Sequence, residues 1–182
     1  MTFFNEPWEH LVIDDFLPTE QFEKLKDFSY GIKVEDDFRG VTREFINYDP
    51  LNIEHLLEQF SNVKSYWGKL DKLIHFSVIK KSFMHEMHVD ADFKIMTAIL
   101  YLGPEKSMGT RIFDKDKNYV KEIEWKPNRL LVFCSSDDSW HDFGSYKNGR
   151  HTLNYFLIDA NWHINNDTFR NNIIKNGDLH LS

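Results

Sequence analysis

Between about residues 71 and 160 the chain is written in short β-type segments divided by turn residues, and no other feature constrains its fold as strongly. The segments lie near Leu73–Ser82, Glu86–Asp90, Lys94–Leu102, Thr110–Asp114, Tyr119–Trp125, Arg129–Cys134, Trp140–Phe143 and His151–Asp159. Between them stand Gly103-Pro104, Asp116-Lys117-Asn118, Lys126-Pro127-Asn128 and Asn148-Gly149. These residues favour tight turns or stop a strand. Eight short, closely spaced strands predict a sandwich or a jelly-roll barrel.

The first 70 residues read differently. Glu9–Phe16 is a short apolar strand, and Pro18 opens a helix with Phe22, Leu25 and Phe28 on one face. Gly31–Tyr48 has no clear period and reads as a loop or irregular hairpin. Asn52–Trp67 reads as a second helix: Ile53, Leu56, Leu57, Phe60 and Val63 recur at helical spacing, and Gly68 stands where a C-terminal cap belongs. Helices first and strands after predict an α+β, mainly β chain with N-terminal helices backing one sheet. The expected organisation is a single domain over 1–182: support in 1–70, a jelly-roll core in 71–160 and a C-terminal extension in 161–182.

Composition narrows the function classes. Against 22 Lys+Arg stand 29 Asp+Glu, a net charge of -7, which argues against a duplex-binding face. The one cysteine, Cys134 in LLVFC, reads as a small buried hydrophobe. It excludes an intrachain disulfide and a Cys-ligated zinc finger, and it fits a reducing compartment. The longest nearly apolar run, Ile95–Leu102, falls far short of the ~20 residues a spanning helix needs. A soluble, cytoplasmic protein without a leader or membrane partner is expected, with the oligomeric state left open.

Among 9 His in 182 residues, about one His-x-Asp triplet is expected by chance, so His88-Val89-Asp90 means little alone. His85-Glu86-Met87-His88 is not a zinc-protease motif, because H-E-x-x-H needs a histidine where Val89 stands. Order gives the triplet its value. On a strand, His88 and Asp90 leave one face, His141 follows 53 residues later, and Arg150 comes nine after that. Two imidazoles and a carboxylate can form the facial triad of non-haem Fe(II) oxygenases, with open positions for a chelating 2-oxo acid and O2. An arginine fork suits that acid's far carboxylate, and Thr152 and Asn154 share the arginine's face on a strand, so Thr152 can donate a second hydrogen bond. His85 and His151 read as supporting or exposed residues.

From about Leu73 to Leu157 the sequence resembles the Fe(II)/2-oxoglutarate-dependent dioxygenases, within them the prolyl 4-hydroxylase-like group. The resemblance is carried by HVD, by MTAILYL at Met96–Leu102, by RIF after Gly109, by EIEWKPNRLLVF at Glu122–Phe133, and by His141, Arg150 and HTLNYFL. EHLVIDDFLPTEQFEKL resembles the group's opening strand and helix more weakly. The resemblance implies a double-stranded β-helix. It implies His88, Asp90 and His141 as metal ligands and catalytic residues, Arg150 on the distal 2-oxoglutarate carboxylate and Tyr101 beside it. It implies Fe(II) as the metal, 2-oxoglutarate and O2 as co-substrates, and ascorbate as an accessory reductant. It departs from the group at Val78, where many members carry a tyrosine, and at Gly109-Thr110, where Gly-Gly is usual.

The implied reaction is hydroxylation of an unactivated C–H bond with release of succinate and CO2; a carboxylate at Asp90 favours this over halogenation. Peptidyl proline is the family-level substrate, and a free amino acid or other small molecule is the alternative. Gly31–Pro50, with Arg39, Arg43 and Tyr48, is the candidate lid; Arg111 and Trp140 are candidates for the pocket wall. Two other classes stand beside the oxygenase. One is a non-catalytic jelly-roll binding module. The other is a cupin-like enzyme, which wants a second histidine near the first and has no need of Arg150. Convergence of His88, Asp90, His141 and Arg150 is the discriminator.

Overall fold

The structure, a computed structural model, describes residues 1–34, 41–66 and 68–160. Two antiparallel sheets dominate it. Strands β1 (Thr2–Phe4), β2 (His10–Ile13), β3 (Thr42–Ile46), β4 (Leu70–Ile79), β6 (Lys94–Gly103), β9 (Leu130–Cys134) and β11 (Arg150–Asp159) form the major sheet, in the order β1-β2-β9-β6-β11-β4-β3. Strands β5 (Phe83–Met84), β7 (Thr110–Phe113), β8 (Tyr119–Ile123) and β10 (His141–Ser145) form the minor sheet, in the order β5-β10-β7-β8. This is the expected jelly-roll, a double-stranded β-helix.

The period of two along each strand sorts side chains between two layers. One face of the major sheet carries Phe76 and Val78 of β4, Met96, Ala98, Leu100 and Leu102 of β6, Val132 and Cys134 of β9, and Leu153, Tyr155 and Leu157 of β11. Helix α1 (Thr19–Gly31) lies on this face with Phe22 and Leu25, and Ile53, Leu56 and Phe60 complete the layer. The opposite face looks into the barrel, where Ile99, Tyr101, Leu131 and Phe133 meet Ile112, Ile123 and Trp125. Because β6 is covered on both faces, its residues from Ile95 to Gly103 are all buried, which explains its continuous apolar run.

Several expectations need correction. Phe28 of α1 is largely exposed, its ring resting on Phe76 at 4.8 Å, and Ser29 takes the third buried position. Asn52–Trp67 is not an α-helix; only Glu54–Gln59 is helical, as a 3-10 turn, and Trp67 lies outside the described residues. Asp49 Oδ1 accepts from the Leu51 and Asn52 N–H groups, and Asn52 sits at φ 49°, so no helix can start there. Glu9 then accepts from the Ser61 and Asn62 N–H groups and holds the chain extended. The helical spacing had still found buried residues, namely Ile53, Leu56 and Phe60.

Gly31–Tyr48 is not simply a loop: β3 pairs with β4 from Thr42↔Val78 to Ile46↔Ile74 and closes the edge of the major sheet. Residues 35–40 of the candidate lid, with Arg39, lie outside the described residues, as does the extension beyond 160. Glu86–Asp90 is not a regular strand; only His88 makes a bridge, to His141. Among the described residues no helix is long and apolar enough to cross a membrane.

Candidate metal centre

His88, Asp90 and His141 converge: one ligand atom from each lies within 4.8 Å of the others. The backbone builds this. His88 and His141 exchange both main-chain hydrogen bonds at 2.9 Å, so their imidazoles stand side by side, centroids 4.5 Å apart. His88 Nδ1 lies 2.9 Å from the Glu86 carbonyl and His141 Nδ1 2.9 Å from that of Ser139. A carbonyl only accepts, so each Nδ1 carries the proton and each Nε2 keeps its lone pair, as a metal ligand must. Burial lowers the basicity of both rings, with His88 brought down to about 4 by burial and by the neighbouring His141. Near neutral pH both are unprotonated.

Asp90 supplies the negative charge. Burial alone would push its carboxyl up, but Lys94, His141 and Thr97 outweigh this and bring it down to about 2. Lys94 Nζ lies 2.5 Å from Oδ1, and Thr97 Oγ1 donates to Oδ2 at 2.6 Å. Two signals could have found these partners: Lys94 follows Asp90 by four residues, and Thr97 is a polar inward residue in an apolar strand.

A second buried cation has no carboxylate among its described contacts. Arg150 is 2% exposed. Its guanidinium packs against Phe143 at 4.7 Å, Trp125 at 5.4 Å and Tyr101 at 5.5 Å. One weak hydrogen bond runs from Nη2 to Thr110 Oγ1 at 3.5 Å, and Nε has no partner. Burial lowers its pKa to about 10. Tyr101 also donates to Thr110 Oγ1, at 2.8 Å. Thr152, opposite Tyr101 in the β6–β11 register, has a buried hydroxyl without a partner. Buried polar groups are normally satisfied, so an orphaned guanidinium nitrogen and an orphaned hydroxyl on one strand face fit an anionic group received between them.

The structure thus gathers His88, Asp90 and His141 into one cluster and sets Arg150 beside Tyr101, with Thr152 opposite Tyr101 in the strand register. Thr110, met in the sequence only as a departure from the usual glycine, joins them, since its hydroxyl links Tyr101 to Arg150. Val78 faces the helix layer, so it has no bearing on the cavity. Arg111 is turned outward and held by Asp142 at 2.7 and 2.5 Å, and Trp140 stacks under Lys117 at 4.0 Å. His151 also leaves the cavity, its Nδ1 lying 3.1 Å from Ser29 Oγ of α1.

No protein-family model and no curated protein sequence matches this chain. Solved structures do. A Pseudomonas putida prolyl-4-hydroxylase is 18% identical and aligns over 82% of this chain and 91% of its own, with a TM-score of 0.62. The viral collagen prolyl hydroxylase of Paramecium Bursaria Chlorella virus-1, solved with 2-oxoglutarate, is 13% identical over 83% and 96%, with a TM-score of 0.60. A Trichoplax adhaerens prolyl hydroxylase, solved with a hypoxia inducible factor peptide fragment, is 15% identical over 82% and 83%, with a TM-score of 0.57. The chain therefore has the double-stranded β-helix fold of the prolyl 4-hydroxylase-like 2-oxoglutarate/Fe(II) oxygenases.

Proposed function

We propose that the chain is an Fe(II)- and 2-oxoglutarate-dependent oxygenase that hydroxylates an unactivated C–H bond. One observation carries this reading: a His/Asp/His cluster shares its barrel with a buried arginine whose Nε is unpartnered, beside the unpartnered hydroxyl of Thr152. A binding module has no need of both, and a cupin-like metal site has no need of the arginine.

His88, Asp90 and His141 would hold the metal, with Nδ1–H bonds to carbonyls fixing both rings. Arg150 would bind the far carboxylate of 2-oxoglutarate through its free Nε, with Thr152 donating a second bond. Phe143, Trp125 and Tyr101 keep water from the guanidinium, and a charge pair strengthens when water is excluded. Thr97 and Lys94 hold Asp90 ionised and fixed. Bound there, Fe(II) and 2-oxoglutarate supply O2 activation coupled to loss of CO2 and formation of succinate.

The test is anaerobic addition of Fe(II) and 2-oxoglutarate. The wild type should develop the visible charge-transfer band of a metal-chelated 2-oxo acid, and His141→Ala should not. No band in the wild type, with both components present in excess, sinks the reading.

A further inference from the structure

His75 is a buried imidazole that the centre described above does not use. It lies on β4 opposite Asn154 of β11, and the Asn154 amide Nδ2 stands 3.1 Å from its Nε2. With that amide donating, Nε2 accepts and the ring proton sits on Nδ1. This Nδ1–H has no partner, although the residue is only 5% exposed. Leaving such a donor unpaired costs stability, so a retained one marks a place for an acceptor.

Its surroundings specify that acceptor. Phe45 and Phe156 wall the ring, at 5.1 and 5.6 Å between centroids. Arg43 of β3 and Lys94 of β6 set a positive field around it, which with burial holds the imidazole neutral, its pKa well below the usual value. A donor N–H between two aromatic rings, with Arg43 nearby and Lys94 paired to Asp90, suits a carboxylate oxygen. The slot adjoins the metal cluster: Lys94 Nζ lies 3.9 Å from the Phe156 ring and 2.5 Å from Asp90. It is also separate from the Arg150 end. Asn154 and Arg150 are four residues apart on β11, roughly 13 Å along the strand.

We propose that His75 Nδ1–H, backed by Arg43 and Lys94 and walled by Phe45 and Phe156, binds a carboxylate of the prime substrate, so that the chain acts on a free amino acid or comparable small acid rather than on an internal residue of a peptide. This rests on the oxygenase reading above.

The experiment compares free L-amino acids with their amides and with peptides carrying an internal proline. Succinate release by the Fe(II)-loaded protein is read in the wild type, His75→Phe and His75→Asn. At least one free acid should stimulate release tenfold more than its amide. His75→Phe should raise the KM for that acid tenfold or more while the KM for 2-oxoglutarate stays within twofold, and His75→Asn, which restores an N–H donor, should recover part of the loss. In the metal-free, ¹⁵N-histidine-labelled protein the same acid, and not its amide, should shift the His75 Nδ1 resonance.

Equal response to acid and amide, stimulation by the peptides alone, no stimulation by any probe, an unmoved Nδ1 resonance, or an unchanged KM in His75→Phe each overturns the inference. So does a parallel rise in the KM for 2-oxoglutarate, which would assign the carboxylate to the co-substrate. The charge-transfer band separates the two failures: with the band present, any of these results removes only the substrate subsite, whereas its absence in the wild type removes the oxygenase reading itself.

Discussion

His88 and His141 are locked together through their main chains, each N–H donating to the other's carbonyl at 2.9 Å, so the 4.5 Å spacing of their rings follows from backbone pairing. Backbone pairing that comes with folding thus builds the half-site, and metal should bind the folded state selectively. Saturation to a hundred times Kd then adds about 2.7 kcal/mol of stability. Thermal unfolding with and without Co(II) checks this. The wild type should rise by several degrees and His88→Ala should not move. An equal rise in His88→Ala would show that Co(II) binds elsewhere.

Asp90 and Lys94 form a pair whose side chains are 3% and 19% exposed, with nitrogen and oxygen 2.5 Å apart. Removing one partner strands the other charge, at a cost of about 3 kcal/mol. Asp90→Ala should lower unfolding free energy by that amount in metal-free protein, and the double variant Asp90→Ala/Lys94→Met should regain most of it. Urea unfolding of these three proteins and of Lys94→Met closes the cycle. A double variant no more stable than Asp90→Ala argues that the loss comes from Thr97 and packing.

Arg150 is a buried charge held at a cost in stability. Its desolvation is not repaid by any carboxylate among its described contacts, and three aromatic rings surround it. Arg150→Met keeps the volume and removes the charge, so the metal-free variant should be as stable as wild type or more so, by about 1 kcal/mol. Its affinity for 2-oxoglutarate, titrated by the charge-transfer band, should fall at least a hundredfold. A variant that lost stability and kept affinity would place the co-substrate elsewhere.

Both sheets were legible because their strands carry turn residues at each end. Asn128 and Lys117 adopt the positive φ that such turns require, and Gly149 packs where a side chain would meet the Ile79 carbonyl. The candidate cluster was legible because His88, Asp90 and His141 follow one another in an order that suggested a metal triad. What was hidden is tertiary in origin. β3 exists because β4 offers an unpaired edge, and nothing in Thr42–Ile46, with Arg43 and Glu44 side by side, announces a strand. Gly31–Tyr48 therefore looked like loop. The second helix failed through one local carboxylate, Asp49, and one distant in sequence, Glu9, that capture the N–H groups flanking it. Thr110 was met as an anomaly because its function lies in a contact with residues 9 and 40 positions away.

Acid should weaken the fold through His10, which is fully buried against Phe4 and Trp8. Burial and the nearby Lys121 bring its pKa down to about 4 from 6.5. Between these values the unfolded chain binds a proton that the folded one refuses, so the stability is fully present above pH 6.5 and is lost as pH falls toward 4. The loss is of order 3 kcal/mol. His10→Phe, which keeps the ring stack, should reduce the slope of the urea midpoint across that window, the remainder coming from His75, His88, His141 and His151, whose pKa values burial also lowers. A variant with the wild-type slope would assign the acid sensitivity to other groups.

Thr110 is the sharpest test of the co-substrate end of the barrel, because its hydroxyl accepts from both Tyr101, at 2.8 Å, and Arg150, at 3.5 Å. Thr110→Val keeps the shape and removes the acceptor. Tyr101 is then left with only the Ile123 carbonyl at 3.5 Å, a near-unsatisfied buried hydroxyl costing about 1–3 kcal/mol. Adding Tyr101→Phe removes the stranded donor and should restore stability. It should not restore binding, since both hydroxyls that orient the guanidinium and its ligand are gone. The expected pattern is a Thr110→Val variant weaker in stability and about tenfold weaker for 2-oxoglutarate, and a double variant recovered in urea unfolding but still weak in the charge-transfer titration. If stability and affinity recover together, Thr110 acts only as packing. If Thr110→Val binds 2-oxoglutarate as well as wild type, the Tyr101–Thr110–Arg150 linkage has no part in holding the co-substrate.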